Sequence, residues 1–162
     1  MPEGSDIPPV AEAVRFDLND PFEVRAGPFW YTAALEKTAG DTALRSREFW
    51  LRVQERHCNT SSIVHGGLLM TMADLTMADA ARDGNGDWVT ISFDSHFVAS
   101  AQLGDLLHSI AVCTRRTSRT AFVRGVVSSR SEDASDQTTT SKEIFTFSGV
   151  FSRVGGTTPS RL

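Results

Sequence analysis

Beyond His65 the chain places Leu68, Leu69, Met70, Met72, Ala73, Leu75, Met77, Ala78, Ala80 and Ala81 in one short run. At the helical period these residues fall around the whole wheel instead of along one stripe, the pattern of a helix enclosed by protein. Such a helix needs a fold that wraps other structure around it. Two aspartates, Asp74 and Asp79, stand in the same run. A carboxylate withdrawn from water without a partner costs several kcal/mol, so each needs a cation, hydrogen-bond donors or a chemical task.

The wrapping material reads as strands. Between Ala43 and Glu55, Phe49, Leu51 and Val53 alternate with Trp50, Arg52 and Gln54, the period of a strand with one face on a core. After the helix, Asp83-Gly84-Asn85-Gly86 supplies the residues that stop it and turn the chain. Val89, Ile91, Phe93 and Phe97 then alternate with Thr90, Ser92, Asp94 and His96, and three further β-branched and aromatic runs follow at 106–113, 121–127 and 144–151. Polar links such as TRRTSR and SRSEDASDQTTTSKE separate them as hairpin loops do. The expected order is strand, one long buried helix, then four strands in a meander. A parallel βαβ array is excluded, because it requires a helix between each strand pair. GPFWYTAALEK suits strand or helix equally, and its aromatics Phe29 and Trp30, like Phe49 and Trp50, are read as core or interface, some of them open to an acyl pocket.

At 162 residues one domain suffices, and we divide the chain into a loosely ordered arm or short surface helix at 1–27, to which no chemistry is assigned, a domain at 28–154 and a tail at 155–162. A formal charge of -4 without a basic face argues against nucleic acid as partner and for small molecules or proteins. MPEGSDIPPVAEAVRF has neither an apolar signal core nor the character of a transit peptide, and no run reaches membrane-spanning length, so a cytoplasmic protein is expected. Cys58 and Cys113 lack C-x-x-C spacing and are read as free thiols. A metal site from His57, Cys58 and His96 has no support in ligand spacing, so no metal is expected, and His57, His96 and His108 are taken as ordinary strand or loop residues.

An antiparallel sheet curved around one central helix, in this element order, resembles the hotdog fold, an α+β architecture. The motif N-x5-H-G-G-x6-D, here Asn59, His65, Gly66, Gly67 and Asp74, resembles the acyl-CoA thioesterases of the phenylacetyl-CoA (PaaI-like) and 4-hydroxybenzoyl-CoA type, and the likeness continues through TISFDSHFVASAQLGD to about Val154. It implies an enzyme that hydrolyses acyl-CoA to a free acid and CoA. It also implies a homodimer or homotetramer with sites between subunits, and no cofactor beyond the CoA of the substrate.

The residues support that chemistry independently. Thioester hydrolysis needs a seat for the developing oxyanion, an activated nucleophile and room for a long thiol. Gly66 and Gly67 stand where helix N-terminal amides point outward, and a missing Cβ lets a carbonyl oxygen approach the backbone. By resemblance the Gly66 amide is the oxyanion donor. Asp74, flanked at helical spacing by Met70, Thr71, Ala78 and Ala81, lies too far along the helix to serve its own N-terminus; this spacing permits, and the resemblance implies, a site that joins Asp74 of one subunit to His65 and Gly66 of another. We favour Asp74 as general base, with direct attack as nucleophile the alternative. Thr90 matches a hydroxyl that holds the attacking water, and Asn59 an amide that orients water or loop. His65 is read as ordering the loop, with acid–base action the alternative.

Each assignment has a plainer competitor. Asp74 alternatively caps a neighbouring strand or bonds across a dimer interface, and Asp79 is expected to pair with Arg82 or with an interface group. Arg115, Arg116 and Arg119 in CTRRTSR suit the phosphates of CoA, or form a solvated basic turn. Ser118 stands where glycine is frequent in the family. The competing functions are a non-catalytic acyl-CoA-binding or sensing protein of the same fold, and a hydratase or dehydratase, whose site resembles a differently spaced His–acid pair. The acyl group is not fixed by these residues.

Overall fold

The computed structural model describes residues 8–16, 20–32, 36–39, 42–84, 86–131 and 141–154. In chain order these form β1 (Val14–Arg15), α1 (Pro21–Ala26), β2 (Trp30–Thr32), β3 (Glu36–Ala39), β4 (Thr42–Arg52), a 3-10 turn (Glu55–His57), α2 (Gly66–Ala81), β5 (Asp87–Phe97), β6 (Leu106–Arg116), β7 (Thr120–Arg130) and β8 (Ser141–Val154). The sheet runs β1-β2-β4-β6-β7-β8-β5, with β3 paired to β4 off this path, and every pairing is antiparallel. This is the expected α+β hotdog architecture.

The strand order corrects the four-strand meander. Only β6, β7 and β8 follow one another; β5 lies at the far edge beside β8, and β4 takes the place next to β6. The cause is α2, which crosses the sheet and delivers the chain to the opposite edge. The link from β5 to β6 is short enough to imitate a hairpin in the sequence.

The core lies between α2 and the inner face of the sheet, where Leu69, Met72, Ala73, Met77 and Ala80 pack on Phe49, Leu51, Leu107, Val123, Val127, Phe145 and Phe151. Met72, Ala73, Met77 and Ala80 are fully buried, and each such side chain contributes about 1.5 to 3 kcal/mol for a residue the size of methionine. Enclosure of α2 is nonetheless incomplete. Met70 is 43% exposed, Gly67 is exposed, and Thr71, Asp74, Ala78 and Asp79 are half-buried. The stripe of α2 that carries Met70 and Asp74 faces a cleft, partly roofed by α1.

Part of the outer face is covered as well. Trp50, on the strand face opposite Phe49 and read as core or interface, is 5% exposed and clusters with Ala13, Trp30 and Leu106. It stacks on His108 with centroids 3.6 Å apart and planes 3° from parallel. The N-terminal segment hides this aromatic surface, which alternation within a single strand cannot reveal.

Candidate active site

The turn before α2 is built by Asn59. Its Oδ1 accepts from the Ser61 amide (2.9 Å) and the Ile63 amide (3.4 Å), and its own amide donates to the Ile63 carbonyl at 2.8 Å. Of the two roles expected for Asn59, the geometry displays loop ordering. Short bridges from Cys58 to Val64 and from Ile63 to Gln102 fix the loop against its surroundings. His65 then caps α2, its Nδ1 accepting from the Gly67 amide at 2.9 Å, which is what N-cap side chains do for the open amides of a first turn. Since Nδ1 is the acceptor, the neutral ring carries its proton on Nε2. The Gly66 amide donates to no partner among the described residues. A Cβ at Gly66 would stand 2.9 Å from Cε1 of Phe97, so a side chain there would push that exposed ring off the turn.

Asp74 lies at the base of a cleft of about 550 Å³ lined by Asp20, Phe22, Glu23, Met70, Thr71, Leu75, Thr90 and Phe93. Thr90 donates its hydroxyl to Asp74 Oδ1 at 2.7 Å. The register of β5 against β8 slips between Thr90 and Ser92, a bulge at the strand position facing the helix. The hydroxyl expected to hold water thus donates its hydrogen bond to the carboxylate and fixes its orientation. Asp74 Oδ2 has no bonded partner among the described residues and stays available on the cleft side.

Asp74 and Gly66 are separated by eight residues of the same helix, roughly 12 Å of rise at 1.5 Å per residue. Within one chain the Asp74 carboxylate and the Gly66 turn are therefore not brought together. Met70 and Phe93 line the Asp74 cleft, whereas Phe97 lies over Gly66. Phe29, Trp30, Phe49 and Trp50 are buried in the two apolar clusters and line no part of the cleft.

Two other expectations are corrected. The cation that meets Asp79 is Arg47 of β4, whose Nε lies 2.7 Å from Oδ2, although its N–H does not point along a hydrogen-bond line. Arg116 is not in a loop and is committed elsewhere. It ends β6, and its guanidinium donates to the carbonyls of Ala80 (2.9 Å), Ala81 (3.1 Å) and Arg82 (3.3 Å). A cation there satisfies the orphan carbonyls of the α2 C-terminus and meets the negative end of its dipole. Arg115 and Arg119 remain exposed, Arg115 lining an open hollow of about 610 Å³ with Thr114, Thr117, Thr120 and Phe122. Among the described residues no group of three or more His, Cys, Asp or Glu side chains is arranged to hold a metal ion. No helix among them is long and apolar enough to cross a membrane.

The residues missed in the sequence come from α1 and the 3-10 turn. Asp20 caps α1 by accepting from the Phe22 and Glu23 amides at 2.8 and 3.1 Å, ahead of Pro21 in the first turn. Asp-Pro at a helix start was the available signal. Through this helix Phe22 and Glu23 reach the cleft. Burial pushes the Glu23 carboxyl up, Asp20 and Asp74 adding to the effect and Arg82 opposing it. His57 is 3% exposed, and burial pulls its pKa down, with Arg56 adding while backbone bonds to Gly27, Ala26 and Arg52 oppose. Burial lowers His108 likewise, with Glu48 opposing and Arg130 adding.

These histidines predict a pH dependence of stability. The folded protein holds both rings neutral more firmly than the unfolded chain, whose histidines titrate near about 6.5. Their stabilisation is complete above that value and is lost as the pH falls through the lower folded values. Glu23 has the opposite sign, since its raised carboxyl favours the folded state at lower pH. Urea midpoints measured between about pH 7.5 and 5 will fall with acid, and His57→Gln will flatten part of that slope. A slope identical in parent and variant would contradict the assignment.

With this geometry in place, comparison with known proteins is informative. Residues 61–134 match the thioesterase superfamily. That stretch is similar to the thioesterase superfamily, and the described residues carry the hotdog fold. Over 75 residues it is 35% identical to a Pseudomonas aeruginosa protein provisionally named an esterase, a match covering 44% of this chain and 56% of that one. The chain thus spans little more than half the length of that relative. Its fold superimposes on PaaI of the Escherichia coli phenylacetic acid degradation operon with a TM-score of 0.65 at 20% identity, covering 86% of this chain and 88% of that one. The TT0310 protein of Thermus thermophilus gives 0.62 at 25% identity, over 85% of this chain and all (100%) of the other. A hypothetical thioesterase protein of Streptococcus pneumoniae, solved with coenzyme A, gives 0.65 at 14% identity over 82% and 91%.

Proposed function

We propose that the protein hydrolyses acyl-CoA thioesters, with Asp74 as general base and the Gly66 amide as oxyanion donor, the two contributed by different protomers of a homodimer or homotetramer. The observation that carries this reading is the Thr90–Asp74 hydrogen bond at 2.7 Å in a cleft where Phe22, Met70, Leu75 and Phe93 stand beside polar groups. It leaves one carboxylate oxygen oriented and open. Oδ2 takes a proton from a water molecule, and the hydroxide adds to the thioester carbon. The carbonyl oxygen becomes an oxyanion on the Gly66 N–H, at the positive end of the α2 dipole. Collapse breaks the C–S bond, and the CoA thiolate leaves and receives the proton that Asp74 holds. Direct attack by Asp74 would use the same oxygen.

The cross-protomer arrangement is supported by the rise that separates Asp74 from its own Gly66. Exposed Arg115 and Arg119 are suited to the phosphates of the CoA, and the S. pneumoniae relative solved with coenzyme A supports a CoA leaving group. Arg116, whose Nε and Nη2 bond the carbonyls at the end of α2, is less suited to that role. Thiol release from a panel of aryl- and alkyl-CoAs tests the proposal; a parent protein that releases none of them ends it. Thr90→Val should lower kcat about tenfold, the size of one lost positioning bond to a charged group, while KM changes little.

A further inference from the structure

His57 joins the two halves of the candidate machinery. Its Nε2 lies 3.2 Å from the carbonyl of Gly27, the residue that ends α1. Its Nδ1 accepts from the Gln54 amide at 3.0 Å, which closes the 3-10 turn. Its own carbonyl accepts from the amide of His65, the N-cap of α2, at 2.9 Å. With Nδ1 an acceptor, the proton sits on Nε2 and is donated to Gly27, so the neutral ring satisfies both bonds at once. Arg56 adds a second donor to the Gly27 carbonyl at 2.6 Å. Thus α1, which carries Phe22 and Glu23 into the Asp74 cleft, and the turn that presents Gly66 are fastened to one buried residue.

We propose that His57 is a positioning residue for thioester hydrolysis, holding α1 over the acyl cleft through its side chain and the Gly66 turn in place through its ring and carbonyl. This rests on the thioesterase reading above. The two functions separate chemically. Asparagine places its Oδ1 near the Nδ1 position, keeping the bond to Gln54 but falling short of Gly27. Glutamine carries an N–H toward Gly27 but leaves the Gln54 amide without its acceptor. A residue that only supports the fold would lower stability in both variants without dividing kcat from KM. Protonation of His57 removes the Nδ1 acceptor, so activity also depends on the neutral ring. The charged group recorded against His57 is Arg56 on its own turn, and the neighbours from α1 and β4 are the backbone groups of Gly27, Ala26 and Arg52.

The test is steady-state hydrolysis by the parent, His57→Asn and His57→Gln on whichever acyl-CoA the parent turns over fastest. His57→Asn should raise KM about 5- to 10-fold with kcat nearly kept, and His57→Gln should lower kcat about tenfold with KM nearly kept. Both should lose the acid limb that His57 gives the parent's kcat profile. Equal effects of the two substitutions on both parameters, or an acid limb unchanged in both, would overturn the proposal while leaving the thioesterase reading intact. A parent without activity on any thioester overturns both. Should neither variant fold, Arg56→Ala, at an exposed position, removes the second donor to the Gly27 carbonyl and leaves it on His57 alone. A raised KM at unchanged kcat supports the tie of α1 through this carbonyl, and unchanged kinetics in Arg56→Ala together with failure of both His57 variants to fold makes His57 a residue of the fold only and overturns the proposal.

Discussion

Asp74→Asn will abolish turnover while leaving the fold in place. General-base catalysis contributes two to four orders of magnitude, so kcat should fall by about 10² to 10⁴, with the melting temperature within a few degrees of the parent's. The amide is nearly isosteric, and its oxygen can still accept the Thr90 hydroxyl that meets Oδ1 at 2.7 Å. The cleft keeps its shape. What it loses is an oxygen able to take a proton from water or to attack a carbonyl carbon, so both chemical roles of Asp74 fail together. Thiol release and circular dichroism on the same preparations decide the matter. Turnover at the parent's rate would make Asp74 a structural carboxylate that fastens β5 to α2, and the non-catalytic acyl-CoA-binding reading would take its place. Asp79 supplies the internal comparison. It stands on the same helix and is held by Arg47 of β4, so Asp79→Asn should cost stability and leave the kinetics of folded protein largely unchanged.

Much of this was legible in the residues because local and global preferences agree. The all-round apolar composition of 66–81 announced a wrapped helix, and the Asn59, His65, Gly66 and Asp74 spacing marked a candidate site on it. What escaped has common physical causes. Partners fixed by tertiary placement cannot be read from spacing: Arg47 for Asp79, and the carbonyls of Ala80, Ala81 and Arg82 for Arg116. Strand order escaped because hydrophobic alternation reports which face a strand buries and not which neighbour it takes, so β5 passed for a member of the meander. The burial of Trp50 on the outer face depends on Ala13 and Trp30, far away in the chain. The role of α1 was hidden for the opposite reason. Its six residues, PFEVRA, are too few to show a periodicity, and none of its side chains is fully buried. The helix matters through what it roofs.

Gly125→Ala should be among the most destabilising single-methyl substitutions in the chain. Gly125 lies in β7 opposite Ala111 of β6 and Phe147 of β8. A Cβ there would fall 2.1 Å from the carbonyl oxygen of Ile110 and 2.5 Å from Cε2 and Cζ of Phe147. The ring could be displaced, but the carbonyl belongs to the β6–β7 ladder and moves only if the strands part. We therefore expect a loss at or above the upper end of the about 1 to 3 kcal/mol typical of overpacked cores. Urea denaturation of both proteins measures it. Adding Phe147→Ala should recover only part of the loss, because it relieves the ring clash and leaves the main-chain one. Full recovery would show that the main chain yields freely and that the ring alone demands glycine. The position also bears on the site. Phe147 neighbours Phe145 with centroids 6.1 Å apart, Phe145 neighbours Phe97 at 4.8 Å, and Phe97 covers Gly66. A ring pushed off Gly125 presses on this row, so any Gly125→Ala protein that still folds should hydrolyse more slowly than its remaining folded fraction accounts for.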